Sequence, residues 1–354
     1  MSRRTNVARL LDRVGALELG LALRARTGLP QRGLTVLLYH RVIDLAGIGD
    51  MDPDLVDATP ASFDAQMALV KRHLRPVSLD DVLAAAAPGG PTLPPNAALV
   101  TFDDGYRDNL EIAVPILRRH GIRATFFVAT GYMSDERRLF WWEQVSLMVR
   151  RARVPRLTLT YPRPFTTLLD ELGRRRATRH LARAIKDVYD LDLERLLAEL
   201  GAATGHPWTP EDDAKYADAV MLRWDGVRAL RDAGMDVASH TKSHRVLQTL
   251  TPEALARELG ESKAALEREL GARVRALAYP VGKRVHALPA VRDAVRDAGY
   301  DLGFVVHPGV NDLAATGAAG PRPDAHYDLK RIPVDRDWDP AQFRGALVHH
   351  AFAG

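Results

Sequence analysis

Thr101-Phe-Asp-Asp-Gly105 and Ser239-His-Thr-Lys-Ser-His244 each follow an apolar, β-prone run. The first segment presents two adjacent carboxylates, Asp103 and Asp104, and the second presents His240 and His244, four residues apart. One carboxylate and two imidazoles can hold a divalent metal and leave a fourth position for water, the pattern of a catalytic rather than a structural zinc site. Asp104 is read as the third ligand, which leaves Asp103 beside the water as general base. Zn2+ is the expected ion, and another divalent metal suits the same ligands. A bound Zn2+ brings the pKa of water to about 7, so a neighbouring carboxylate can take its proton at neutral pH. The expected chemistry is hydrolytic attack on a carbonyl, with the metal and a backbone N–H stabilising the oxyanion.

Each segment alone is weak. An Asp-Asp-Gly after a strand commonly serves as a turn or helix cap, and a His-x-x-x-His is commonly a surface pair. The histidine pair is not the zincin motif, because Thr241 follows His240 where a zincin carries Glu. The conjunction at strand ends is what points to a site. In parallel α/β barrels catalytic groups sit at the C-terminal ends of strands, and Asp103, Asp104, His240 and Tyr279 all fall at such ends.

The elements that position these residues alternate. Strands are expected at 34–39, 97–102, 124–129, 235–239, 274–279, 302–306 and 331–334. Helices are expected between them at 63–74 (with Ser62 as N-cap), from Ser78, at 109–120, at 224–233, at 252–270 behind Thr251 and Pro252, and at 289–298. Alternating β and α units with right-handed crossovers imply a parallel sheet, here a closed barrel. Residues 135–222 break the alternation: Arg, Leu, Glu and Ala recur at helical spacing, Leu157–Tyr161 is the one strand-like run, and Trp141 and Trp142 are read as packing anchors, with sugar stacking as the alternative. The chain length of 354 residues suits one α/β barrel with such an insertion.

The chain has no cysteine, so any metal rests on His, Asp or Glu. The net charge is +4, and Arg174-Arg175-Arg176 sits among mixed charges, which reads as a solvated helix face; no nucleic-acid partner is expected. No run reaches the roughly 18 apolar residues of a membrane span. Residues 5–27 read as one amphipathic helix packed on the barrel, with placement on a membrane surface as the minority alternative. Asp12, Arg13, Glu18 and Arg24 interrupt the apolar core of a secretory signal, so the expected location is cytoplasmic, peripheral to the inner membrane.

Five stretches together resemble the polysaccharide deacetylases of the NodB-homology, or carbohydrate esterase 4, type: Leu38-Tyr-His-Arg-Val42, Thr101 to Tyr106, Ser239 to His244, Ala278-Tyr-Pro-Val-Gly282 and Lys330-Arg-Ile-Pro-Val334. They span about residues 34–340, insertion excepted. The resemblance implies a distorted (β/α)7-type barrel at 34–354, with a helical insertion at about 135–222 and an N-terminal extension at 1–33. It implies zinc on Asp104, His240 and His244, Asp103 as base, and the Val281 backbone N–H, after Pro280, in the oxyanion hole. Tyr279 and Gly282 would shape the groove. The chain departs from the family pattern at two points. Ala278-Tyr279 stands where the family's base-orienting Arg is usual, and Arg331 is the replacement considered. No late Leu-x-His supplies the acid; His307 is nearest by position, and His40 is a second histidine able to line the site. The Tyr-Pro-x-Gly version and the Trp-Trp-Glu of the insertion resemble the subgroup tied to exopolysaccharide and cell-surface glycan biosynthesis.

The implied activity is removal of N-acetyl groups from a glycan or a lipid-linked sugar precursor. Two alternatives stand beside it: hydrolysis of O-acetyl esters or non-sugar amides on the same site, and a non-catalytic, metal-containing glycan binder. The intact Asp103 speaks against the last, since binding needs no base.

Overall fold

The computed structural model describes residues 3–27, 33–313 and 324–353. Seven parallel strands close on themselves: β1 (Leu34–Tyr39), β2 (Ala97–Phe102), β3 (Thr125–Val128), β4 (Asp236–Ser239), β5 (Ala276–Ala278), β6 (Leu302–Val306) and β7 (Leu329–Pro333). Each pairs with its successor in sequence, and β7 returns to β1 through Leu37↔Ile332 and Leu38↔Pro333. The expected (β/α)7-type barrel is therefore present.

Side chains alternate across a strand with period two. Leu34, Leu99, Phe127, Ala238, Ala278 and Phe304, drawn from six different strands, meet in one buried cluster. Only the barrel interior can bring them together. Intervening residues such as Leu37, Val100, Phe126, Leu277 and Val305 belong to a second cluster, between the barrel wall and the helices. The same parity carries Asp103, His240 and Arg331 to the upper end of the interior and turns Tyr279 outward.

Thirteen helices are described: α1 (Arg3–Arg13), α2 (Ala16–Thr27), α3 (Pro60–His73), α4 (Leu79–Ala85), α5 (Val114–His120), α6 (Trp141–Arg151), α7 (Glu171–Asp187), α8 (Leu193–Ala203), α9 (Pro210–Val220), α10 (Trp224–Asp232), α11 (Pro252–Leu270), α12 (Pro289–Asp297) and α13 (Pro340–Val348). Local chemistry sets several boundaries. The cap of α3 is Thr59 rather than Ser62; Ser62 is the reciprocal partner three residues on, in a capping box that adds a turn at the front. Ser78 and Asp81 make the same box for α4. The N-terminal segment is two helices rather than one, broken at Gly15 (φ 71°). Both dock on α13, through Arg344 Nε to Asp12 Oδ1 at 2.6 Å and Arg9 Nε to Asp339 Oδ2 at 2.5 Å, with Leu17 and Leu21 buried. Leu10, Val14, Leu19 and Leu23 remain exposed. Among the described residues no helix is long and apolar enough to cross a membrane.

The insertion holds α6 to α9 and one hairpin, Arg156–Leu159 against Phe165–Leu168, so its strand-like run has an antiparallel partner. The arginine triplet is divided in role. Arg175 and Arg176 are exposed, but Arg174 donates to the carbonyls of Val149, Arg150 and Ala152 at the end of α6, where intrahelical donors run out.

The outward Tyr279 ring depends on Gly303 in the neighbouring strand, since a Cβ there would stand 2.1 Å from the Tyr279 hydroxyl oxygen. Gly303→Ala is expected to lower stability by about 1–3 kcal/mol through overpacking. The measurement is the shift in denaturation midpoint, and an unshifted midpoint would contradict the close approach.

Candidate active site

At the C-terminal end of the barrel the strands lead into loops whose backbone is forced out of the usual regions. Asp104 (φ 77°), Thr241 (φ 66°), His244 (φ 55°) and Val281 (φ 62°) all lie at positive φ without being glycine. Such conformations are costly, most of all for a β-branched valine, and persist only where the surroundings hold them. The surroundings here are specific. The Asp103 N–H donates to the Tyr39 carbonyl at 2.9 Å, and Ala129 N–H to the Asp104 carbonyl at 3.2 Å. The His240 to His244 segment is a sharp bend rather than a helical turn. Glu258 of α11 accepts the N–H groups of Lys242 and Ser243 at 3.0 and 2.8 Å, and the N–H of His244 donates to Thr241 Oγ1 at 3.2 Å.

This backbone brings Asp104, His240 and His244 together, buried, with their ligand atoms within 4.8 Å of one another. Asp104 Oδ1 lies 3.5 Å from His240 Nε2 and 3.4 Å from His244 Nε2. Ligands about 2.1 Å from one tetrahedral centre stand about 3.4 Å apart. Asp104 Oδ1 is buried with no hydrogen-bond partner, an arrangement that is costly unless a cation completes it. His240 donates from Nδ1 to the Ala278 carbonyl at 2.8 Å, which presents Nε2 as a lone pair. Burial lowers His240 to about 4 and His244 well below the usual range, so both rings are neutral at pH 7. Burial, helped by neighbouring Asp103, pushes Asp104 up to about 7, a carboxyl held ready for a positive charge. The donor set fits a divalent metal.

Asp103 sits beside this set and is gripped from inside the barrel by Arg331, Nη1 to Oδ1 at 2.7 Å and Nη2 to Oδ2 at 2.8 Å. Burial pushes Asp103 up, but the Arg331 guanidinium and His240 outweigh it and hold the carboxyl below its ordinary range. His40 closes another side. Its Nδ1 lies 3.1 Å from Asp57 Oδ2, and its backbone N–H donates to the same oxygen. Burial pulls His40 down, but Asp57, joined by Asp104 and Asp103, more than offsets it and raises the ring to about 9. Asp57 belongs to a short strand, Val56–Ala58, paired with Arg41–Val42; no sequence signal marked it.

The cavity over these groups encloses about 1030 Å³, its open mouth included. Val281 and Gly282 reach it from the β5 loop, while Trp141, Trp142, Ala182 and Lys186 reach it from the insertion. The tryptophans are therefore more than packing anchors, and the Trp142 ring lies 4.4 Å from the His244 ring, centroid to centroid, tilted by 52°. Gly282 (φ 66°) must be glycine, because a Cβ would stand 2.1 Å from the Val306 side chain. Three residues that the sequence suggested for the site fall elsewhere. Tyr279 turns outward by strand parity and does not line the cavity, Pro280 is buried beside it, and His307 is exposed outside it. Val306 lines the cavity, so the alternation of the strand turns its successor His307 away, and nearness in sequence was no guide.

The polysaccharide deacetylase family model matches residues 90–303. The chain belongs to the polysaccharide deacetylase family. Solved structures similar to this family member include Streptococcus pyogenes deacetylase PplD in complex with acetate, 18% identical, with a TM-score of 0.57 over 90% of this chain and 99% of that one. IcaB from Ammonifex degensii is 19% identical, with a TM-score of 0.52 over 92% of this chain and 98% of that one. At these identities the likeness is one of fold. A curated Bacillus subtilis (strain 168) protein, YxkH, provisionally described as a polysaccharide deacetylase, is 53% identical over 30 residues, 8% of this chain and 11% of that protein's length.

The charges of the site can be checked directly. Arg331→Met leaves Asp103 buried without its partner and is expected to cost about 3–5 kcal/mol, read from the denaturation midpoint at neutral pH. The loss should shrink as pH falls through the lowered folded pKa of Asp103, because the stabilisation exists only above it. In metal-free protein the His40 ring should titrate near pH 9 by NMR, and Asp57→Asn should lower it, by the loss of its largest raising partner. His40 being raised, its contribution to stability is full below about 6.5 and lost as pH climbs through 9.

Proposed function

We propose that this chain is a metal-dependent hydrolase that removes N-acetyl groups from acetamido sugars of a glycan or lipid-linked glycan precursor. The observation that carries the reading is Asp103, ionised by its buried grip on Arg331 and set beside a cation-ready Asp104, His240 and His244. A divalent ion on those three residues, zinc in our reading, would polarise the acetyl carbonyl and acidify water.

The chain's own groups account for the remaining roles. Asp103 accepts the proton of the attacking water, and Arg331 keeps it a base and fixes its orientation. The Val281 N–H donates to the developing oxyanion. His40, protonated through Asp57, gives a proton from Nε2 to the departing amine nitrogen, so it replaces His307 as our candidate acid. The apolar walls, Trp141 and Trp142 among them, exclude bulk water and strengthen each charge interaction. We place the protein in the cytoplasm, peripheral to the membrane, with residues 1–33 as an extension whose exposed Leu10, Val14, Leu19 and Leu23 support the membrane contact.

Acetate release from N-acetylglucosamine oligomers and O-acetylated glycans, with zinc or with a chelator, tests the reaction. Chelator-sensitive release from the amides is expected; release from esters alone would replace the reading with an esterase. Asp103→Asn should retain zinc and lose roughly 100- to 10,000-fold in turnover. Undiminished turnover would remove Asp103 as base. For location, the Leu10→Ser/Leu19→Ser double variant should co-sediment less with anionic lipid vesicles; unchanged sedimentation would remove the membrane assignment.

A further inference from the structure

Helix α7 of the insertion turns one face into the cavity. Thr178, Ala182 and Lys186 lie at four-residue steps along it, and all three line the space above Asp103 and Asp104. Its end is fastened from two sides. Lys283, next after the Pro280-Val281-Gly282 loop, donates to Asp187 Oδ1 at 2.7 Å and to the Lys186 carbonyl at 3.4 Å. Arg245, next after His244, donates to the Leu191 carbonyl at 3.0 Å, and the N–H of Asp190 donates to the Thr249 carbonyl at 2.8 Å. The wall is thus braced on the two loops that carry the candidate oxyanion donor and metal ligand.

Within this braced wall each charge lining the cavity other than Lys186 has an ion pair, a place in the metal-ready set or hydrogen bonds of its own. Asp103 has Arg331, His40 has Asp57, and Asp104 belongs to the metal-ready set. Asp52 accepts from the Asp54 N–H at 3.0 Å and the Ser146 hydroxyl at 3.3 Å. Asp187, the acid nearest Lys186 in sequence, is taken by Lys283. Lys186 has no such match: among the described residues its half-buried ammonium has no ion pair, yet it is close enough to act electrostatically on Asp104 and His244. An ammonium drawn partly out of water into a mainly apolar cavity calls for an anion supplied from outside.

We propose that Lys186 is a specificity-determining residue, and that the substrate is an acetamido sugar bearing an anionic substituent, a phosphate ester or a carboxylate, near the acetylated ring. The proposal rests on the deacetylase reading of the same cavity. It also accounts for the helical insertion, because α7 places one cation across from the reacting groups and so makes neutral polymer segments the poorer substrates.

The test compares methyl N-acetylglucosaminide, N-acetylglucosamine 1-phosphate and N-acetylmuramic acid as acetyl donors for the zinc-loaded full chain. At least one anionic donor should exceed the neutral one roughly tenfold or more in kcat/KM, the scale of one charge-assisted hydrogen bond. Which of the two does so distinguishes phosphate from carboxylate. Lys186→Gln should bring the anionic-to-neutral ratio close to one, Lys186→Glu should invert it, and Lys186→Arg should keep it. A merely structural role would lower all donors together and leave the ratio unchanged, which overturns the proposal. Equal use of neutral and anionic donors by the unaltered protein overturns it too, while leaving the deacetylase reading intact. If no donor is turned over, calorimetric binding of the same compounds decides: charge-dependent binding lost in Lys186→Gln supports the proposal, and equal or absent binding of all three ends it.

Discussion

Arg331 and Asp103 meet inside the barrel through two parallel contacts of 2.7 and 2.8 Å, on side chains almost wholly withdrawn from water. Neither charge is tolerable alone there, because a buried ion without a partner loses several kcal/mol of hydration. The two residues come from strands on opposite sides of β1, so they meet only when β7 has closed the barrel against β1. Closure and the ionised state of Asp103 are therefore one event. The guanidinium also lies 5.6 Å above the Phe127 ring, so the apolar interior below supports the charged layer above.

The layer above that pair is built from strained backbone rather than from regular elements. Positive φ at Asp104, Thr241, His244 and Val281 turns each strand end sharply enough to aim a side chain or an N–H inward. The energy of those turns is offset by contacts from elsewhere, Glu258 of α11 for the histidine turn and the Gly282–Val306 approach for the valine turn. Rigid strands and helices on the outside thus permit an irregular but ordered rim.

The insertion completes what the barrel leaves open. Trp142 spans both parts: its ring packs on His244, and its Nε1 donates to the Tyr106 hydroxyl at 2.9 Å. Tyr106 in turn donates to Glu143 at 3.3 Å, whose other oxygen accepts the Asp52 N–H at 3.1 Å. Burial raises Glu143 to about 7, while the Tyr106 hydroxyl is pushed well above its ordinary range and stays protonated.

The primary structure alone determined the period-two and helical patterns, and with them the seven strands, most helices and the existence of a helical insertion. It also marked Asp103, Asp104, His240 and His244, because carboxylate and imidazole at strand ends are chemically conspicuous in one dimension. It offered Arg331 as a partner for the base and both His307 and His40 as histidines for the site, but it could not decide between the two histidines. Arg331 lies 228 residues from Asp103, Asp57 is an ordinary acid in a short strand, and Lys186 is one of many cations on a helix. Their roles depend on what faces them, and that was decided when the barrel closed and the insertion folded back over its rim. The same parity that took Arg331 in took Tyr279 out. Side-chain chemistry is local, whereas burial and charge pairing belong to the assembled chain.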